Sequence, residues 1–134
     1  MCTPGLLLSD DLIFTSRITG AGRDLGLTVK PARTADALLD LARQEAPSCV
    51  ILDLAFPGLD LSALIRRLGE ACPLMPRLVA YGAHVDAAGL RAARQAGCDV
   101  VLPRSAFVEA LPSKLAEWLS PPELSAPQSS LPES

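Results

Sequence analysis

The sequence has no run of about 18 consecutive apolar residues, so no membrane-spanning helix of ordinary length is expected. Its first residues, Met-Cys-Thr-Pro-Gly, carry neither the basic segment nor the apolar stretch of a secretory leader. A cytoplasmic protein is therefore expected. Basic residues are few: 12 Lys and Arg stand against 15 Asp and Glu, with no cluster longer than Arg66-Arg67. A nucleic-acid-binding module needs a basic stripe to neutralise phosphates, so direct nucleic-acid binding is not expected. The only histidine is His84, and the four cysteines (Cys2, Cys49, Cys72 and Cys98) include no C-x-x-C pair. That is a poor ligand set for structural zinc. Cys49 lies in an apolar run and reads as a small buried hydrophobe.

What is present is enough for a core. Hydrophobic residues make up 49% of the 134 positions and charged residues only 20%, far from the composition of a disordered chain. The length suits one domain that buries roughly two-thirds of its unfolded surface.

Apolar runs alternate with helical patterns along the chain. Leu6-Leu7-Leu8 reads as a short buried strand, followed by a weakly amphipathic helix over Asp11 to Arg23 that the Gly20, Gly22 and Gly26 cluster ends. Leu27-Thr28-Val29 reads as a second strand. Thr34 can cap a helix whose Ala35, Leu38, Leu39 and Ala42 fall at i, i+3, i+4 and i+7, with Pro47 as its stop. Cys49-Val50-Ile51-Leu52 is continuous, apolar and rich in β-formers, as a fully buried strand must be. Asp60 can cap a helix with Leu61, Leu64, Ile65 and Leu68 on one face. Leu78 to Tyr81 forms a fourth strand. Asp86 to Ala96 forms a helix with Gly97 at the preferred C-terminal position, and Val100 to Leu102 a fifth strand. Phe107, Leu111, Leu115 and Trp118 mark the apolar face of a last helix.

Five β/α units with short connections predict a flavodoxin-like, doubly wound α/β fold: five parallel strands in the order 2-1-3-4-5 with helices on both faces. The folded domain is expected over residues 1–119. From Ser120 to Ser134, prolines interleaved with Ser, Glu and Gln predict a disordered tail. That division leaves no segment for a separate output domain, so any output is expected from the surface of the domain itself.

In open α/β sheets ligands bind at the carboxyl ends of the strands, near the point where the strand order reverses. Ser9, Asp10 and Asp11 follow the first strand, Asp53 the third, Gly82, Ala83 and His84 the fourth, and Pro103, Arg104 and Ser105 the fifth. The order 2-1-3-4-5 makes strands one and three neighbours, so Asp10, Asp11 and Asp53 are expected to converge. Clustered carboxylates repel unless one is protonated or a cation neutralises them. Hard oxygen ligands suit Mg²⁺, and a metal beside Arg104 suits phosphoryl transfer with Asp53 as nucleophile. The competing reading makes each Asp after a strand a helix cap. Asp36, Asp60 and Asp86 are given that role or a solvated one, His84 a surface position, and Arg91 and Arg94 a solvated helix face.

Asp10-Asp11 after strand one, Asp53-Leu54-Ala55-Phe56-Pro57-Gly58 after strand three and Ala96-Gly97-Cys98-Asp99 before strand five together resemble the receiver domain of bacterial two-component response regulators. The likeness runs from about Gly5 to Leu119. It implies that Asp53 is the phospho-acceptor and that Mg²⁺ is held by Asp10, Asp11, Asp53 and the backbone carbonyl of Ala55. It also implies a histidine kinase or phosphotransfer protein as donor, a downstream protein target, and a monomer or weak dimer. No enzymatic turnover is implied beyond phosphorylation and dephosphorylation of Asp53 itself. Three positions depart from the pattern. Counting back from Gly97 puts Gly82 where the family has a hydroxyl that senses the phosphoryl group. Arg104 takes the place of a lysine and keeps its charge on a longer, planar group. Val101 stands where an aromatic switch residue is common. These departures define an alternative: a degenerate pseudo-receiver that binds protein without phosphate control. Flavodoxins, haloacid-dehalogenase phosphatases and B12-binding modules match less well. They need, respectively, a Ser/Thr-rich first loop, a second Asp at the position of Ala55, and a histidine in the first loop.

Overall fold

The helix starts are set by single side chains. Asp11, Thr34, Asp60 and Asp86 each precede a helix and accept a hydrogen bond from the backbone N–H three residues on, at Phe14, Ala37, Ala63 and Gly89. Each satisfies one of the donors that a helix N-terminus leaves unpaired. In the computed structural model, which describes residues 3–120, ten elements alternate. They are β1 (Gly5–Leu8), α1 (Leu12–Asp24), β2 (Val29–Ala32), α2 (Ala35–Glu45), β3 (Cys49–Asp53), α3 (Leu61–Ala71), β4 (Arg77–Gly82), α4 (Ala87–Ala96), β5 (Val100–Pro103) and α5 (Arg104–Trp118).

The five strands form one parallel sheet in the order β2-β1-β3-β4-β5. Alternate residues face opposite layers. Leu6, Leu8, Val50, Leu52, Leu78 and Ala80 pack with α2, α3 and α4. Leu7, Cys49, Ile51, Val79 and Tyr81 pack with α1 and α5. Both faces are covered, which is why the strands read as unbroken apolar runs rather than as alternating ones. Each fully buried Leu or Ile contributes about 1.5–3 kcal/mol relative to exposure. No helix among the described residues is long and apolar enough to cross a membrane.

Two local expectations are corrected. The second strand is not Leu27 to Val29 but Val29–Ala32. Lys30 and Pro31 disguised it, yet β2 is an edge strand paired only with β1, where proline is tolerated. Gly20 and Gly22 do not end the first helix; both lie inside α1. A Cβ on Gly22 would come within 3.2 Å of Val29, so this glycine lets the helix pack closely on β2. The turn after α1 belongs to Gly26, with φ +74. The tail predicted beyond Ser120 falls outside the described residues, as does Cys2.

Candidate functional site

β3 ends on Asp53, beside the reversal of strand order between β1 and β3. Leu8 is level with Leu52, and Asp53 with Tyr81. One residue past β1, Ser9 therefore comes level with Asp53, and Ser9, Asp53 and Tyr81 continue the row begun by Leu7, Ile51 and Val79. Ser9 is 1% exposed and Asp53 2%. The Ser9 hydroxyl donates to Asp53 Oδ2 at 2.8 Å, and the Ala55 N–H donates to Asp53 Oδ1 at 2.9 Å. Ser9 Oγ in turn accepts the Asp11 N–H at 3.1 Å. A turn closed by the Phe56 N–H on the Asp53 carbonyl, at 3.0 Å, carries the chain away.

The three carboxylates expected to converge have different surroundings. Asp53 is buried, while Asp10 and Asp11 are exposed. The Asp11 side chain caps α1 through Oδ1 to the Phe14 N–H at 3.0 Å. Among the described residues, no three His, Cys, Asp or Glu side chains form a group that could hold a metal ion. The physical reason is local. The β1 residue that meets Asp53 is a hydroxyl, and the second acid of the expected pair is engaged at the helix start. A Mg²⁺ ion needs several hard oxygens in near-octahedral array. Here Ser9 and the Ala55 amide present hydrogens to the two oxygens of Asp53, so the residues as arranged do not fit that ion. In the sequence Ser9 stands out only as one of the polar residues after β1. Its signal was that it keeps the strand's alternation and so points where Leu7 points.

Arg104 opens α5. Its guanidinium carbon lies 5.4 Å from the centre of the Phe14 ring, a cation–π distance, and its Nε is buried without a hydrogen-bond partner. None of the ion pairs among the described residues includes Arg104 or Asp53. Gly82 does not face Asp53: a Cβ there would meet Leu54 at 3.3 Å and Leu90 at 3.6 Å, on the opposite layer. Val101 is buried in that same layer. The β4 residue beside Asp53 is Tyr81, fully buried, with its ring 4.6 Å from Phe107 and 4.8 Å from Phe14. Its hydroxyl makes no hydrogen bond of good geometry. Burial first, and then the charge of Asp53, push its pKa well above the usual phenol range. His84 is exposed in the loop after β4.

No family model and no curated protein sequence matches the chain. Solved structures do. NtrX from Brucella abortus in complex with ADP is 22% identical at a TM-score of 0.79, over 98% of this chain but 30% of that one. This chain thus spans about 30% of the length of that protein. The isolated receiver domain of the same NtrX is 22% identical at a TM-score of 0.73, over 86% of this chain and 97% of that one. A Burkholderia pseudomallei response regulator, solved with a phosphorylated aspartic acid, a calcium ion and citrate, is 21% identical at a TM-score of 0.70, over 98% of this chain and 75% of that one. Likeness at this level of identity speaks for the backbone, and the backbone is that of a response-regulator receiver domain.

Proposed function

We propose that the chain is a receiver-fold protein-binding module whose partner contacts do not depend on phosphorylation of Asp53. One observation carries this reading: Asp53 is 2% exposed, and both its oxygens accept hydrogen bonds within the fold. Attack on a phosphodonor needs an accessible carboxylate oxygen and a neutralising cation. The candidate cation, Arg104, lies over the Phe14 ring and forms no ion pair with Asp53. The partner is a protein that meets the last two β/α units, and the module acts in the cytoplasm as a monomer or weak dimer without turning over a substrate.

A second reading keeps phosphate control. It is favoured by the presence of Asp53 and Arg104 and by the phosphorylated aspartic acid and calcium ion of the Burkholderia regulator. In that reading Asp10, Asp11, Asp53 and the Ala55 carbonyl hold Mg²⁺, and a histidine kinase or phosphotransfer protein supplies the phosphoryl group. Incubation with Mg²⁺ and a small acyl phosphate, followed by intact-mass measurement, separates the two. The module reading expects no gain in mass. A gain that Asp53→Asn abolishes would establish the second reading and overturn the first.

A further inference from the structure

A cleft of about 570 Å³ opens between α1, the loop after β4 and the start of α5. Phe14, Arg17, His84, Arg104, Ser105 and Glu109 line it; Ser9, Asp10 and Asp53 do not. Its volume falls in the range of small-molecule sites. Its polar wall is cationic: two guanidinium groups, Arg17 and Arg104, stand with the His84 ring against a single carboxylate, Glu109, more than a turn further along α5. The overall charge is −3, so this cationic wall runs against the sign of the chain.

Two features make the wall incomplete without a ligand. The Nε–H of Arg104 is shielded from water and has no acceptor, a state that costs about 1–3 kcal/mol for a buried donor. The guanidinium sits over the Phe14 ring, its carbon 5.4 Å from the ring centre, a cation–π contact that favours this placement before anything binds. Arg104 and Ser105 are also the first residues of α5, and α5, unlike α1 to α4, has no side chain on its terminal N–H groups. Phe14 and Val108 give the cleft an apolar floor.

We infer that this cleft is a reversible binding site for a small organic anion. A carboxylate, phosphate or phosphonate head meets Arg17 and Arg104, and an apolar or aromatic body lies along Phe14 and Val108. The site makes no use of Asp53 chemistry, so it stands whether or not Asp53 accepts a phosphoryl group. It would give a receiver fold an input by binding rather than by covalent transfer.

The test titrates the full 134-residue chain with phenylphosphonate, whose carbon–phosphorus bond cannot donate a phosphoryl group. Methylphosphonate serves as the head alone and benzyl alcohol as the body alone. Binding is followed by ¹H–¹⁵N NMR, including the arginine Nε–Hε signals. The expected result is saturable movement of the Arg104 Nε–Hε, Ala83, Ser105 and Val108 signals, with a Kd on the order of 1 mM or tighter. Phenylphosphonate should bind more tightly than either fragment. Arg17→Gln and Arg104→Gln should each weaken it about tenfold, equivalent to about 1.4 kcal/mol. Arg17 is exposed, so its variant tests the site even if Arg104→Gln perturbs the fold. No saturable movement, equal binding of benzyl alcohol, or a less than twofold effect of Arg17→Gln would each overturn the inference.

Discussion

The Ser9 hydroxyl donates to Asp53 Oδ2 at 2.8 Å across 44 positions of sequence, and neither side chain is more than 2% exposed. Ser9 Oγ also accepts the Asp11 N–H, so the hydroxyl is fixed from both sides. The pair ties the β1–α1 turn to the end of β3. A buried carboxylate is costly unless it is hydrogen-bonded or paired, and here hydrogen bonds from Ser9 and Ala55 satisfy it without a cation.

Ser9→Ala removes one of those donors and leaves Asp53 Oδ2 without it. The expected loss is about 1–3 kcal/mol of unfolding free energy, read from the urea midpoint at unchanged slope. Ser9→Asp instead sets a second carboxylate against Asp53. It should destabilise the chain further in the presence of a chelator and recover with Mg²⁺, whereas the natural chain should melt at the same temperature with or without the ion. A clear Mg²⁺-dependent rise in melting temperature for the natural chain would contradict this.

Gly82→Thr tests whether a hydroxyl at that position could restore phosphate sensing. The new Cβ comes within 3.3 Å of Leu54, in the layer facing α2 to α4, away from Asp53. Overpacking should cost about 1–3 kcal/mol, and the variant should gain no response to a phosphodonor. A mass gain on Asp53 specific to this variant would show that the side chain reaches the site after all.

Tyr81→Phe removes a hydroxyl that makes no hydrogen bond of good geometry while keeping the ring packed on Phe107 and Phe14. Deleting an unsatisfied buried group is neutral or stabilising. Stability should change by less than about 0.5 kcal/mol or rise. A loss above about 2 kcal/mol would mean the hydroxyl is bonded in solution.

Most of the architecture was legible because local and global signals agree. The four caps, the apolar runs of β1 and β3, and Gly97 just past α4 all state their elements directly. In α5, the spacing of Phe107, Leu111, Leu115 and Trp118 marks the helix despite Pro112 within it. The edge strand β2 was misplaced because a polar and a proline residue break its pattern, and edge pairing forgives both. The site was legible only as far as which loops meet. Two adjacent aspartates after β1 give no hint of which one turns to cap α1, because a cap and a ligand use the same side chain. The direction of Gly82 depends on strand phase, which counting back from Gly97 does not supply.

Alkaline pH should weaken the fold. Burial, the largest cause, pushes the Cys49 thiol from 9.0 up to about 12, and the Cys98 thiol from 9.0 up to about 11. The Tyr81 phenol is raised in the same direction. A group whose pKa is raised by folding keeps its proton in the native state after the unfolded chain has lost it. Its stabilising share is whole below pH 9 and is lost as pH climbs toward the folded value. Each such group contributes a slope of at most about 1.4 kcal/mol per pH unit in that window. Urea midpoints should be flat from pH 7 to 8.5 and fall above 9, with a shallower fall in Cys49→Ala. Midpoints that hold steady to pH 11 would contradict the assigned burial effect.

The last helix is held at its far end by side chains at the amino-terminal ends of β3 and β4. Arg77 Nη1 donates to the carbonyls of Glu117 at 2.8 Å and Trp118 at 2.7 Å, and Ser48 Oγ donates to that of Leu119 at 2.6 Å. A helix C-terminus leaves its last carbonyls short of partners, though the Ser120 N–H also donates to that of Glu117, and a cation there meets the negative end of the helix dipole. Trp118, 4% exposed and stacked on Phe107 at 5.7 Å, depends on that anchorage. Arg77→Met keeps the apolar stem and removes the donors. It should cost about 1–3 kcal/mol, shift Trp118 emission to longer wavelength and speed amide exchange across residues 115–119, while the amides of β1 and β3 keep their protection. Ser48→Ala should do the same more weakly, since it removes a single neutral donor rather than a charged group that reaches several carbonyls. If Arg77→Met leaves the emission unchanged, α5 is held by its apolar face alone, and the contacts at its end add nothing to its order.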